Sequence, residues 1–369
     1  MLSNNTFQLG LFALNCSNGM TMTKAPERWD NTWENNVRAA QLADEAGLEF
    51  LLPVGRWKGY GGETDSQKST FETITWASGL LAQTKNIRVF STTHCALIHP
   101  VFAAKQMATA SHIGGGRFGL NVVAGWNAAE FDMFGVALME HNERYAYAQE
   151  WIDVVKRIWT DEDNFDYDGR FFQLKDVQGL PKPPSEPVIM SAGSSPAGAA
   201  FAYNNANCLF MVIKDEDSMA SEIAALKQQG EGHHFGVFAS SHLVARPTRQ
   251  EAEDYYHYIV DEQGDWAAAD NMAKGRETAK SVSAEQLQEL AMKRRFIGGS
   301  GTWPVVGSYD DAVDTYERFS KAGLQGLAVG LINYIDEFPH LRDEVLPRME
   351  RRGLRLPFSP DGESARSAA

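Results

Sequence analysis

The chain has 369 residues, 43% of them hydrophobic, with 34 Lys and Arg against 48 Asp and Glu and a formal net charge of −14. The length accommodates one large core, and the acidic balance argues against nucleic acid or an anionic membrane as partner. Three cysteines far apart in sequence (Cys16, Cys95, Cys208) make neither a disulfide framework nor a metal-type pair, which points to a reducing cytoplasm.

Strand and helix patterns then alternate along the chain. Residues 7–14 read as a strand. Residues 33–46 read as a helix with Val37, Ala40 and Leu42 among its apolar positions and Gly47 as its stop. Residues 48–54 form a short apolar run suited to a strand buried on both faces. A helix over 71–83, a strand over 87–93, and a helix over 100–113 with Pro100 near its start follow. Residues 118–123 are the fourth strand and 143–159 a long helix. The rhythm resumes with a strand over 188–192 and a helix over 196–205, then a strand over 208–213 and a helix over 218–229. Strands over 235–246 and 325–331 complete the series.

That is roughly eight βα units, the count of a (β/α)8 TIM barrel, an α/β fold. An open doubly wound sheet is the alternative. A single domain over 1–358 is expected, with insertions at about 160–187 and 251–301 and a flexible tail over 359–369. The first insertion, rich in Asp and then Pro, predicts a loop with a short hairpin. The second predicts helices and loops that build a lid over the pocket. Within it, Lys293, Arg294 and Arg295 read as a solvated charge run. The N-terminus has no basic segment before a long apolar run, and no uncharged apolar run of about 18 residues occurs, so neither a signal peptide nor a membrane span is expected.

The richest stretch runs from Gly115 to Trp126. Glycines give a tight entry, and Phe118, Leu120 and Val122 alternate. Asn121 lies between them with its amide on the opposite face. A polar amide in a buried strand is costly unless something bonds it, and a ring with donors and acceptors along one edge would do so. Glu130 follows, then Arg144 and Tyr145 in the next helix. Ser194, Ser195 and Pro196 end one strand and open a helix, with either serine as N-cap and the proline at the first helical position. Their hydroxyls and free backbone N–H groups suit a phosphate, for which Arg144 adds a guanidinium fork. Gly55 and Arg56 begin a glycine-rich loop that lets the backbone approach a flat ligand.

Other chemistries are not signalled. No dinucleotide fingerprint, Walker loop, His-Glu-x-x-His helix or Gly-x-Ser-x-Gly elbow occurs. His233 and His234 form a lone pair in a loop, read as exposed.

The stretch from Gly115 to Trp126, together with Arg144 and Tyr145, resembles the bacterial luciferase-like flavin-dependent monooxygenases. The similarity runs over residues 5–355 and is greatest to the pyrimidine, dimethylsulfone and alkanesulfonate monooxygenase group. The resemblance implies reduced FMN bound by Gly55, Arg56, Thr92, Asn121, Glu130, Arg144, Tyr145, Ser194 and Ser195. That flavin would come from a separate NAD(P)H:flavin reductase, with dioxygen and a small organic molecule as substrates. Thr92 and Asn121 would frame the oxygen, and His94 or His242 would supply a proton. At the positions of two sulfonate-binding arginines this chain has Ser240 and Ile297, so a ring amide or sulfone-like substrate is expected rather than a sulfonate. Tyr334, and the segments 15–19 and 333–338, are expected at the pocket mouth. The resemblance also implies a homodimer or homotetramer, for which the apolar helix positions Val154, Val155 and Ile158 offer a face. The alternatives are an alkanesulfonate-type desulfonating enzyme, an F420-dependent oxidoreductase and a non-catalytic flavin-binding protein.

Overall fold

Eight parallel strands close into a ring. The computed structural model describes residues 2–193, 195–230, 232–278 and 289–359. In chain order the ring strands are β1 (Gln8–Phe12), β2 (Phe50–Leu52), β3 (Arg88–His94), β4 (Phe118–Val123), β7 (Val188–Ala192), β8 (Cys208–Met211), β9 (Gly236–Arg246) and β11 (Gly326–Gly330). Each pairs with the next, and β11 returns to β1 with Gln8 opposite Gly326. Closure excludes the open sheet and makes the fold a (β/α)8 barrel. The helices outside it begin with α1 (Trp33–Glu45), α2 (Thr73–Gln83) and α3 (Pro100–Ile113). They continue with α4 (Ala128–Met133), α5 (His141–Thr160), α6 (Pro196–Asn205) and α7 (Glu216–Gln229).

The period-2 alternation of each strand sorts its side chains. Leu9, Leu11, Val89, Leu120 and Val122 face the helices and join the main core. Phe50, Phe90, Met190, Cys208, Phe238 and Ala328 face the barrel axis. There, three phenylalanines sit over three glycines. A Cβ on Gly10 would lie 2.4 Å from Phe50, one on Gly119 2.5 Å from Phe90, and one on Gly326 2.7 Å from Phe238. Phe50 meets both other rings edge-on at 6.0 Å. This plug closes the lower barrel, so the polar inward residues Thr92, His94, Asn121, Ser240 and His242 lie above it, toward the C-terminal ends of their strands.

The first insertion forms the expected hairpin, β5 (Phe165–Asp168) against β6 (Gln173–Val177), antiparallel. The second folds as α8 (Arg249–His257), a π-helical turn (Tyr258–Glu262), α9 (Trp266–Thr278) and α10 (Leu290–Gly299). It has its own apolar cluster, including Met22, Val260, Met272, Phe296 and Ile297. Main-chain bonds from Met22 to Ile297 (2.7 Å) and from Asp265 to Met22 (2.8 Å) tie it to the segment after β1.

Several expectations are corrected here. The 293–295 run is not a solvated stripe. Lys293 pairs with Asp270 and Arg294 with Asp261, both at 2.8 Å, while Arg295 donates to the carbonyls of Ile213 and Gly301. Val154, Val155 and Ile158 offer no free face, because all three are buried in the main core. A ninth parallel strand, β10 (Trp303–Ser308), extends the sheet by pairing with the outer half of β9. It leads into α11 (Tyr309–Lys321) through a capping box of Ser308 and Asp311. A last helix, α12 (Leu346–Arg351), follows β11. Apart from Ser359, the tail lies outside the described residues. Among the described residues no helix is long and apolar enough to cross a membrane.

Candidate active site

The site lies where β2, β3 and β4 end. Thr92 and Asn121 are direct neighbours across β3 and β4, and both point inward. The Thr92 hydroxyl donates to the carbonyl of Pro53 at 2.6 Å and accepts from Asn121 Nδ2 at 3.1 Å. Asn121 Oδ1 is buried and has no hydrogen-bond partner. A buried acceptor without a donor is unfavourable in an isolated protein, so this atom asks for a ligand N–H or O–H.

Above this pair, two loops are clamped together. Arg56, in the loop after β2, reaches Glu130 of α4 at 3.1 Å, with the two side chains 8% and 1% exposed. Glu130 Oε1 also accepts from the main-chain N–H of Trp57 (2.9 Å), and Arg56 Nε donates to Gln67 (3.2 Å). The guanidinium lies over the rings of Tyr60 and Trp126. Burial works against its charge, but Tyr60 and Glu130 outweigh that, and its pKa is raised. Arg56 is therefore a clamp that fixes the backbone of its loop, and its Nη2 group remains on the cavity side.

His94 sits beside it. A Cβ on Gly55 would come 2.9 Å from the His94 ring, so glycine there lets the loop lie against the histidine. Burial, despite Glu130 and with help from Arg56, depresses the His94 pKa to about 4, so the ring is neutral at neutral pH. His242 is further round the barrel, in the wall. Its Nδ1 pairs with Thr302 (2.8 Å) and its Nε2 with the Tyr256 hydroxyl (3.2 Å). It is pressed by Gly298 and Gly299 of α10. Burial, with Arg295 adding to it, lowers its pKa to about 3.

A second set of groups meets at the start of α6. Ser195 is the N-cap and accepts from Gly198 N–H at 3.1 Å, with Pro196 in the first turn. The Tyr145 hydroxyl occupies the space a side chain at Gly198 would need, 2.5 Å from that Cβ position. Arg144, preceding it on α5, donates to the carbonyl of Gly125, and its Nε is buried without a partner. The helix N-terminus and the two hydroxyls suit an anion, and Arg144, with an unused N–H, precedes Tyr145 on α5. Ser194 lies outside the described residues.

A cavity of about 540 Å³ opens from this mouth between α2 and α3, lined by Gly55, Arg56, Thr92, His94, Phe71 and Phe102 among others. Its walls are mostly apolar, with the polar groups of β3 at the inner end.

The luciferase-like monooxygenase family model matches residues 7–326. The chain belongs to that family. Curated relatives include pyrimidine monooxygenase RutA of a Bradyrhizobium species, 28% identical over 364 residues, spanning 94% of this chain and 98% of the relative. An FMNH2-dependent dimethylsulfone monooxygenase of Pseudomonas putida is 29% identical over 353 residues and spans 90% of each chain. Among solved structures, a riboflavin lyase superposes with a TM-score of 0.84 at 20% identity, covering 95% of this chain and 93% of that one. DmoA of Hyphomicrobium sulfonivorans does so with a TM-score of 0.82 at 17% identity, covering 94% and 88%.

In this luciferase-like barrel the residues singled out in the sequence separate into two groups. Gly55, Arg56, Thr92, His94, Asn121 and Glu130 converge at the mouth, and Tyr145 and Ser195 meet at Gly198 in the first turn of α6, with Arg144 beside Tyr145 on α5. Three expected mouth groups do structural work instead. Tyr334 is fully buried and donates its hydroxyl to the carbonyl of Phe12. Asn15 staples the end of β2, donating to the Val54 carbonyl (2.8 Å) and accepting from its N–H (2.9 Å). Asn333 holds its own turn through Ile335 N–H. Ile297 is core, and Ser240 faces the barrel axis without bringing a cation. Sequence reading missed Pro53, Gln67, Thr302 and Tyr256, which act only as partners of others and have no pattern of their own. His233 and His234 are exposed, and among the described residues no cluster of metal-binding side chains occurs.

Proposed function

We propose that the chain is the oxygenase component of a two-component monooxygenase. It takes reduced FMN from a separate NAD(P)H:flavin reductase and, with dioxygen, oxidises or cleaves a small uncharged organic molecule, a ring amide or a sulfone-like compound. The observation that carries this reading is one barrel mouth holding both an anion cradle and a buried acceptor with no donor, Asn121 Oδ1. Those groups suit a ligand with a phosphate at one end and a flat ring with N–H groups at the other. Arg144, Tyr145 and Ser195 would hold the phosphate, and Asn121 the ring edge, with Gly55 allowing close approach. Bound reduced flavin supplies the electrons and the centre that reacts with dioxygen.

The chain supplies binding, orientation and a dry wall. His94, kept neutral by burial at the inner end of the cavity, is placed to accept or pass a proton. His242 is less suited to direct contact, since Thr302 and Tyr256 engage both ring nitrogens. The uncharged substrate is supported by the mostly apolar lining and by the neutralisation of Arg56 by Glu130. An anionic head group there would meet one guanidinium, that of Arg56, whose charge is already matched by Glu130.

The test is anaerobic titration with FMN and with a deazaflavin, followed by a substrate screen using photoreduced FMN under isotopically labelled dioxygen. Labelled oxygen is expected in products of neutral amides or sulfones, and no sulfite from alkanesulfonates. Tight binding of the deazaflavin with none of FMN would overturn the reading. Stoichiometric FMN binding without turnover of any substrate would favour a storage or carrier role.

A further inference from the structure

Most polar side chains in the wall of the cavity between α2 and α3 are already bonded within the protein. Thr92 donates to the Pro53 carbonyl, Thr73 donates to the Thr92 carbonyl at 2.9 Å, and Thr93 pairs with Ser91 at 3.3 Å. Glu72 caps α2 through the N–H groups of Ile74 and Thr75, and His99 accepts from Val101 N–H at the start of α3. Gln106 differs. It lines the cavity, its Oε1 is buried without a hydrogen-bond partner, and its Nε2 donates to no described group. A polar group kept from water without a partner is unfavourable. The terminal torsion of a glutamine is broad, so this amide can turn to present either end. Its place in the fold is equally specific. His99, Phe102 and Gln106 fall at i, i+3 and i+7, one stripe of α3, and all three line the cavity. α3 runs back down the outside of the barrel, so Gln106 lies about 10 Å below His99, away from the mouth. Between it and the β3 groups Thr92 and His94 the wall is apolar, with Ile74, Leu97, Ile98 and Phe102.

We propose that Gln106 is a distal substrate-recognition residue, and that the substrate has two polar ends. One is the group that reacts, at β3. The other is an uncharged carboxamide-like group at Gln106, joined to the first by an apolar spacer. The inference rests on the monooxygenase reading above and adds a second point of recognition to it. A glutamine amide carries a donor and an acceptor side by side, and a second amide is its complement, N–H to Oε1 and C=O to Nε2. A carboxylate would set lone pairs against Oε1 and would lose its water among apolar side chains. A terminal methyl group would pack equally well against Phe102 but leave the buried oxygen unmet. The apolar stretch between β3 and Gln106 sets the length of the spacer.

The experiment measures, by calorimetry with and without FMN, the binding of N-alkyl pyrrolidinones of graded chain length. Each chain ends either in a carboxamide or in an isopropyl group of the same shape. The proteins are the wild type, Gln106→Leu and Gln106→Asn. At the best chain length the wild type is expected to bind the carboxamide about tenfold tighter than its isopropyl counterpart, the scale of a hydrogen bond gained against a buried acceptor left unmet. Gln106→Leu brings the two within about threefold. Gln106→Asn withdraws the amide by one carbon, so the preferred carboxamide probe becomes the one longer by a methylene. A residue that only props α3 in place would not shift that optimum. FMN affinity in both variants is expected to equal that of the wild type, because neither α5 nor α6 lines the cavity. Equal affinities for the paired probes at every length in the wild type would overturn the inference. So would no binding of any probe, or a carboxamide preference that survives in Gln106→Leu. Failure of the wild type to bind FMN would instead defeat the flavin reading, while a carboxamide preference lost in Gln106→Leu would still identify the residue.

Discussion

Arg144 and Ser195 are small parts of the molecule with a large assigned share of ligand affinity. Each offers something the folded protein does not use up: the buried Nε of Arg144, and the hydroxyl proton of Ser195, whose oxygen already caps α6. Arg144→Ala and Ser195→Ala are each expected to weaken FMN binding by roughly 1.5–3 kcal/mol, the range for a hydrogen bond to a charged group. Unfolding temperature should change little in Arg144→Ala, because its neighbour Tyr145 is held by its own ring contact with Phe201. Equilibrium dialysis against FMN checks both variants, and wild-type affinity in the pair would place the phosphate elsewhere. These candidates were legible in the sequence because a serine N-cap before proline and an Arg-Tyr pair opening a helix have local signatures. The sequence carried less about Arg56. In sequence, Arg56 is an exposed-looking cation in a glycine-rich loop. Only the fold brings Glu130 to it from 74 positions away and gives the ligand-binding candidate a clamping role as well.

At the scale of elements, two features set the geometry of the mouth. The first is that clamp between the β2 and β4 loops. Glu130→Ala would leave a buried guanidinium without its carboxylate, at a cost of about 3–5 kcal/mol, while replacing both partners with apolar residues would cost much less. Thermal unfolding of the single and double variants measures the difference, and equal losses would show that the pair does not act as a unit. The second is the barrel plug. Gly119→Ala would drive a methyl group into Phe90, and an overpacked interior of this kind loses about 1–3 kcal/mol. Denaturant midpoints check it, and an unchanged midpoint would mean that Phe90 moves freely. All eight ring strands were legible, since a parallel barrel strand is a short apolar run between a helix stop and a polar exit. β10 and α11 were not. β10 pairs only with the outer half of β9, so it lies outside the eightfold rhythm that located the others. Its signals, Val305, Val306 and the Ser308–Asp311 box, are real but brief. The fate of the 293–295 charges was equally hidden, because their partners Asp261 and Asp270 lie on neighbouring helices of the insertion.

For the whole molecule the two histidines have a further consequence, in the dependence of stability on pH. His94 and His242 are both buried and neutral, with native pKa values of about 4 and about 3 against an ordinary value of 6.5. Above pH 6.5 neither the folded nor the unfolded chain protonates them, and they contribute no slope. As pH falls below 6.5 the unfolded chain takes up protons that the native chain refuses, so stability declines. The His94 contribution to that decline ends once the native ring protonates near pH 4, and the His242 contribution near pH 3. At about pH 5 the loss should reach roughly 2 kcal/mol per histidine. His94→Gln and His242→Gln separate this from the titration of carboxylates. Each removes one proton-binding site from the unfolded chain, so the unfolding temperature of each variant should fall less steeply than the wild type between about pH 6.5 and 4.5. The two changes should add, because the side chains share no partner: His94 lies against Gly55 and Gly125, and His242 against Thr302, Tyr256 and α10. A wild-type profile parallel to that of the double variant across this range would mean that the rings already carry protons in the native barrel. His94 would then stand in the cavity as a cation, and an anionic substrate would have the partner that the neutral ring denies it.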